Sequence, residues 1–226
     1  MYDAIVEACD LADRAPVRVL IVRGSGGAFS SGTDIGQFAD VRTGADGVAY
    51  ERRIETVVSR LEQVRVPTIA AVEGVAVGGG CAIAVACDFR LCADTAAFGV
   101  PVARTLGNCL SIENCARLAD LVGPGRVVDL LMTGRLVKAE EALAWGLASR
   151  VVPAADLPAA TTELAGELAT RASSTLTATK TMLRRLREHR RPAPGSADDL
   201  LAACYASAEF REGVAAFAEK RPPRFV

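Results

Sequence analysis

Two glycine-rich stretches are the places where this backbone can do chemistry: Gly24-Ser25-Gly26-Gly27-Ala28-Phe29-Ser30-Ser31-Gly32-Thr33-Asp34 and Gly74-Val75-Ala76-Val77-Gly78-Gly79-Gly80. Glycine lets the main chain approach a ligand or another backbone closely. A dinucleotide-binding turn would need a further glycine three positions after Gly26, where Phe29 stands, and a helix opening directly behind it. The second stretch lacks the Lys-Ser/Thr pair of a phosphate-binding loop. Its Gly78–Gly80 run lies between a strand-like segment and an apolar helix-like one, which puts its N–H groups at the positive end of a helix. Donors there suit an enolate or a tetrahedral oxyanion, and losing one such donor typically costs about 2.7–4 kcal/mol of transition-state stabilisation. Taken alone, either stretch also fits simple close packing of backbones.

Side-chain chemistry is sparse by comparison. The single histidine, His189, has no HxxxH partner, and the seven cysteines include no CxxC pair, so no metal site is expected. Cys109 lacks a neighbouring histidine and reads as a packed thiol. The cluster Arg184, Arg185, Arg187, Arg190 and Arg191 reads as a solvated helix face, with an anion site as the alternative.

The elements that must position these loops follow from periodicity. Helical spacing predicts a helix over 3–14 and another over 46–64, which Pro67 prevents from continuing. Apolar runs at 17–23, 68–72 and 89–93 predict buried strands, and the segment 81–87, apolar on all sides, predicts a buried helix. Further helices are expected at 111–122, 126–132, 139–145, 156–171, 173–190 and 198–218. Strand, strand, helix in succession points to repeated ββα turns followed by a helical last third, an α/β fold.

Composition narrows the class. Half of the 226 residues are hydrophobic and only 5% aromatic, enough for a large aliphatic core. With 26 Lys+Arg against 27 Asp+Glu, nothing in the bulk charge points to nucleic acid or an anionic membrane. The unpaired cysteine pattern and the lack of a signal peptide or spanning segment make a cytoplasmic protein the expectation.

In chain order, the sequence resembles the crotonase (enoyl-CoA hydratase/isomerase) superfamily. The matching stretches are Val19–Gly24, Ala28–Ile35, Pro67–Cys81, Ala86–Arg90, Ala93–Pro101, Glu140–Ala148, Val151–Pro153 and Glu212–Pro223. The resemblance implies a ββα superhelical core over residues 1–153 and a helical region over 154–226 that builds homotrimers, often paired into hexamers. It also implies a strand pair ahead of the first helix, which the sequence as given does not include. It places an oxyanion hole at the N–H groups of Thr33 and Gly79. It has Ser31, Asp34 and Ile35 lining the coenzyme A channel, and Phe217 and Lys220 reaching a neighbouring subunit's coenzyme A. Coenzyme A enters as part of an acyl-CoA thioester substrate; no permanently bound cofactor is implied. Asp34, Asp88 and Asp94 read as loop and cap residues.

Two departures matter. The family's two water-adding glutamates correspond to Ala82 and Val102, so ordinary hydration loses an acid–base contribution of roughly 10²- to 10⁴-fold. Gly36 also stands where a basic residue often faces the coenzyme A phosphates. Within 103–114, Glu113 is the candidate replacement base, with Arg104 and Asn108 as positioning groups; the alternative for Glu113 is a first-turn carboxylate behind Ser111. These residues point to an enzyme that isomerises, decarboxylates, hydrolyses or hydrates a thioester through its oxyanion. The alternative is a non-catalytic acyl-CoA-binding or scaffold member of the family.

Overall fold

The computed structural model describes residues 1–225. Its strands are β1 (Leu20–Arg23), β2 (Thr68–Val72), β3 (Val75–Val77), β4 (Phe89–Ala93), β5 (Ala97–Gly99), β6 (Val137–Lys138) and β7 (Arg150–Val152). The helices are α1 (Tyr2–Arg14), α2 (Gly44–Gln63), α3 (Gly79–Ala86), α4 (Val102–Thr105), α5 (Ile112–Val122), α6 (Pro124–Thr133), α7 (Ala139–Trp145), α8 (Leu157–Thr170), α9 (Ser173–Arg190), α10 (Asp198–Ala206) and α11 (Ala208–Ala218).

A parallel sheet runs in the order β1-β2-β4-β7, and a smaller one in the order β3-β5-β6. The continuous apolar run Thr68-Ile69-Ala70-Ala71-Val72 is buried along its whole length, as a strand covered on both faces must be. Its side chains alternate between two cores. Ile69 and Ala71, with Leu91 and Ala93 of β4, pack under Leu157, Leu164 and Leu168 of α8. Ala70, Val72 and Cys92 face the main core with α2 and α3. The units β2-β3-α3 and β4-β5-α4 are the expected ββα turns.

Four strands and the bounds of several helices differ from the sequence reading. Strand β3 lies inside the second glycine stretch, and β5, β6 and β7 are too short to stand out as apolar runs. Each exists because a distant partner fills its ladder, as when Val75–Val77 pairs in parallel with Ala97–Gly99. The helix expected over 198–218 breaks at Ser207, whose extended backbone and side-chain acceptance of the Phe210 N–H make it the N-cap of α11. Helix α2 starts two residues early because Thr43 and Asp46 form a reciprocal capping box.

The arginine cluster is not one solvated face. Arg191 donates to buried Glu62 at 2.9 and 3.0 Å, and Arg190 lies 3.6 Å from Asp120; Arg184 alone makes the helix-surface pair, with Glu188. Asp88 accepts from the Thr68 N–H, the Thr68 hydroxyl and Lys180, so it ties strand to helix as its loop position suggested. Among the described residues no helix is long and apolar enough to cross a membrane, and no cluster of metal-ligating side chains forms.

Candidate active site

The first glycine stretch is pinned to β3. Ser30 pairs with Ala76, its N–H donating to Val75 O and its carbonyl accepting from Val77 N, both at 2.9 Å. This lays Gly32 flat against the second stretch. A Cβ on Gly32 would stand 2.9 Å from Val77 O and 3.5 Å from Gly79 N, and Gly32 has φ +95°, so this approach admits glycine only. Gly78, at φ 57°, donates to Gly99 O and turns the chain into α3, whose first N–H belongs to Gly79. Thr33 and Gly79 approach each other around the Tyr2 hydroxyl, which is the group nearest to where a Gly79 Cβ would be, with the Thr33 hydroxyl 3.7 Å from that point. Among the described residues neither amide has an intramolecular acceptor, the state expected of donors reserved for a ligand.

Three hydroxyls close this end of the site. The Thr33 hydroxyl bonds to Tyr2 at 2.7 Å and to Tyr50 at 2.5 Å. Burial raises both phenols above their ordinary range, so both remain O–H donors at neutral pH.

In front of the amides lies a cavity of about 220 Å³. Ile54, Ala82, Val100, Val102, Leu106 and Leu110 supply much of its apolar wall; Thr33, Tyr50, Glu51, Asn108 and Cys109 are among its polar groups. Ser31 and Ile35 stand at its edge, with Phe217 of α11. Phe217 is itself exposed and lines the cavity of its own chain. Lys220 is exposed at the positive-φ position behind α11, outside the lining. Asp34 is exposed too, and its carboxylate accepts from the Gly36 N–H at 2.9 Å, capping the 3-10 turn Ile35–Asp40.

The expectation for Glu113 needs correcting. It projects from the first turn of α5 into a groove of about 280 Å³ beside Arg52, Glu55 and Pro194, which Glu51 also lines, and it is absent from the lining of the cavity. The Ser111 cap sets this direction, because it fixes the register that turns Asn114, not Glu113, toward the cavity. Arg104 is exposed and likewise absent from the lining, whereas Asn108 is in it.

The carboxyl that does line the cavity is Glu51, which sequence reasoning passed over. It is only 7% exposed and accepts a 2.7 Å hydrogen bond from the Tyr205 hydroxyl, which itself accepts from Asn108 Nδ2 at 3.0 Å. Burial is the main cause that pushes Glu51 up to about 7, with Glu113 and Glu55 adding to it; the Tyr205 hydroxyl and the Ser111 amide pull the other way. The signal was present as Gly44-x-x-Gly47-x-x-x-Glu51, one face of α2. A Cβ on Gly44 would meet Ala202 O at 2.4 Å, and one on Gly47 the Tyr205 ring at 2.1 Å. The glycines let α10 lie against α2, and α10 brings Tyr205 over Glu51. Phe38 and Phe210 pack edge-on at 4.9 Å to Tyr50 and 4.8 Å to Tyr205 respectively, holding both phenols in place.

Known proteins resemble this chain over its whole length. The family model described as enoyl-CoA hydratase/isomerase matches residues 3–226. The probable enoyl-CoA hydratase echA8 of Mycobacterium bovis is 37% identical over 231 residues, covering 100% of this chain and 86% of the relative. A methylmalonyl-CoA decarboxylase solved with 2-nitronate-propionyl-CoA superposes with a TM-score of 0.89 at 26% identity, covering 100% of this chain and 87% of that one. An enoyl-CoA hydratase/carnithine racemase from Magnetospirillum magneticum gives 0.80 at 30% identity, with 100% and 85% covered.

Proposed function

The chain belongs to the enoyl-CoA hydratase/isomerase (crotonase) family, and from that premise we propose that it generates an acyl-CoA enolate by decarboxylating a short 2-carboxyacyl-CoA thioester. The observation that carries this reading is the pairing of two unspent amides, Thr33 N–H and Gly79 N–H, with a cavity wall of Ala82 and Val102. The thioester oxygen accepts from both amides, and they stabilise the negative charge that builds on it. Loss of CO₂ leaves its electron pair on the α carbon and needs no base to begin. An apolar wall disfavours the substrate carboxylate more than it does neutral CO₂. Missing glutamates at 82 and 102 therefore remove the hydration machinery without touching this step.

Size and likeness support the same reading. A cavity of about 220 Å³ is below the roughly 300–1,000 Å³ of most small-molecule sites, so it suits a short acyl group with the coenzyme A outside. The superposition on methylmalonyl-CoA decarboxylase, at 0.89, exceeds the 0.80 found for the Magnetospirillum protein. Ser31, Asp34 and Ile35 are assigned to the channel mouth, with Phe217 and Lys220 above it. Met182, Leu183 and Leu186 of α9 are exposed, a surface suited to the proposed homotrimer or dimer of trimers.

The relative named as a probable hydratase favours hydration as the second reading. The two are separated by incubating the protein with acyl-, 2-enoyl- and 2-carboxyacyl-CoA thioesters and following masses by chromatography. Loss of CO₂ from a 2-carboxyacyl-CoA is the expected result. Rapid hydration of a 2-enoyl-CoA without decarboxylation would overturn the proposal, and tight binding without turnover would leave a non-catalytic acyl-CoA binder.

A further inference from the structure

We infer that Glu51 is the catalytic acid that protonates the enolate carbon, and that Tyr205 and Asn108 are the positioning residues that aim it. The inference rests on the thioester-enolate reading above and adds to it a residue at neither of the family's two glutamate positions.

The geometry has a direction. Asn108 Nδ2 donates to Tyr205, so the Tyr205 proton is committed to Glu51 Oε1. A carboxyl that accepts on Oε1 carries its acid proton on Oε2. Glu51 lines the same cavity as the two free amides, and the neighbouring groove with Glu113 too, so its carboxyl borders the space that a bound acyl group would occupy. Asn108 is 8% exposed, lines the cavity and has an Oδ1 without a partner, a buried acceptor waiting for a donor on the ligand.

The surroundings keep the acid protonated. Facing Glu51 are Glu55 on its own helix, Glu113 and Cys115 on α5, Tyr205 on α10, and the phenols Tyr2 and Tyr50. Cys109 is also close, and the nearby Arg52 is engaged with Asp198. Apart from Arg52 these neighbours are acidic or neutral, and with burial they hold the carboxyl near 7, where it can give up a proton and recover it.

The step balances without a further reactant. The bond from the α carbon to the substrate carboxylate breaks and CO₂ departs, leaving the electron pair as an enolate whose oxygen faces Thr33 and Gly79. The α carbon then takes the proton from Glu51 Oε2 as the thioester carbonyl re-forms. Glu51, now a carboxylate, is reprotonated from water.

The test compares wild type, Glu51→Gln, Glu51→Asp and Tyr205→Phe on methylmalonyl-CoA, with circular dichroism as the check on folding. Glu51→Gln should lower kcat by about 10²-fold or more with KM within a few-fold, and Glu51→Asp should restore part of it. Wild-type kcat should be level below about pH 7 and fall above it, because the acid must be protonated. Tyr205→Phe removes a bond that favours the carboxylate, so its falling limb should move to higher pH, which a merely structural role would not produce. Wild-type turnover with Glu51→Gln unchanged in kcat and pH profile would overturn this inference alone. A wild-type chain that neither turns over nor binds any thioester would overturn the functional reading and this inference with it.

Discussion

Replacing Glu51 by glutamine should change how the protein's stability depends on pH, independently of any catalytic assay. Glu51 has an ordinary value of 4.5 when the chain is unfolded and is raised to about 7 by burial in the folded state. A folded-state value above the unfolded one means that the native protein holds the proton more tightly. The contribution is complete below about pH 4.5 and is lost as pH rises through 7. The difference corresponds to about 3 kcal/mol, at 1.36 kcal/mol for each pH unit between the two values. Glutamine has no proton to lose and still offers an oxygen to the Tyr205 hydroxyl. In urea unfolding followed by circular dichroism between about pH 4.5 and pH 8, wild type should therefore lose stability relative to the variant by about 3 kcal/mol. Parallel curves for the two proteins would refute the reasoning, since they would mean that Glu51 ionises in the folded chain as it does in water.

Two more perturbations test the frame around the site. Gly32→Ala puts a Cβ 2.9 Å from Val77 O at φ +95°, so it should cost about 1–3 kcal/mol of stability, and turnover should fall further than KM rises because the Thr33 amide is displaced; unchanged kcat would contradict the assigned donor. Arg117→Ala strips a buried guanidinium from Glu55 and Glu62 and should destabilise by about 3–5 kcal/mol in thermal or urea unfolding. Burial alone would raise Glu62, yet Arg191 and Arg117 hold it at about 2, so its stabilising share is present above 4.5 and lost as pH falls toward 2. In the Arg117 variant that acid-side loss should be smaller and end at a higher pH, and an unchanged acid limb would argue against the pairing.

Much of this protein was legible in its residues. Strands 68–72 and 89–93, the buried helix behind Gly78-Gly79-Gly80 and the long helices follow from local periodicity and caps, which depend on neighbours a few positions away. The meeting of the two glycine stretches was legible for a related reason: only glycine tolerates the conformations at 32 and 78, whereas Thr33 and Gly79 as the donors rest on the family resemblance. What the tertiary structure alone decided is which carboxyl faces the cavity. Glu51 and Glu113 both sit on helices among other charged residues and look alike as sequence. Helix α10, about 150 positions away, buries Glu51 by closing over Gly44 and Gly47, while the Ser111 cap turns Glu113 toward another groove. Burial is a property of packing between distant segments, and a carboxyl's proton affinity follows burial, so neither could be read from the residue itself.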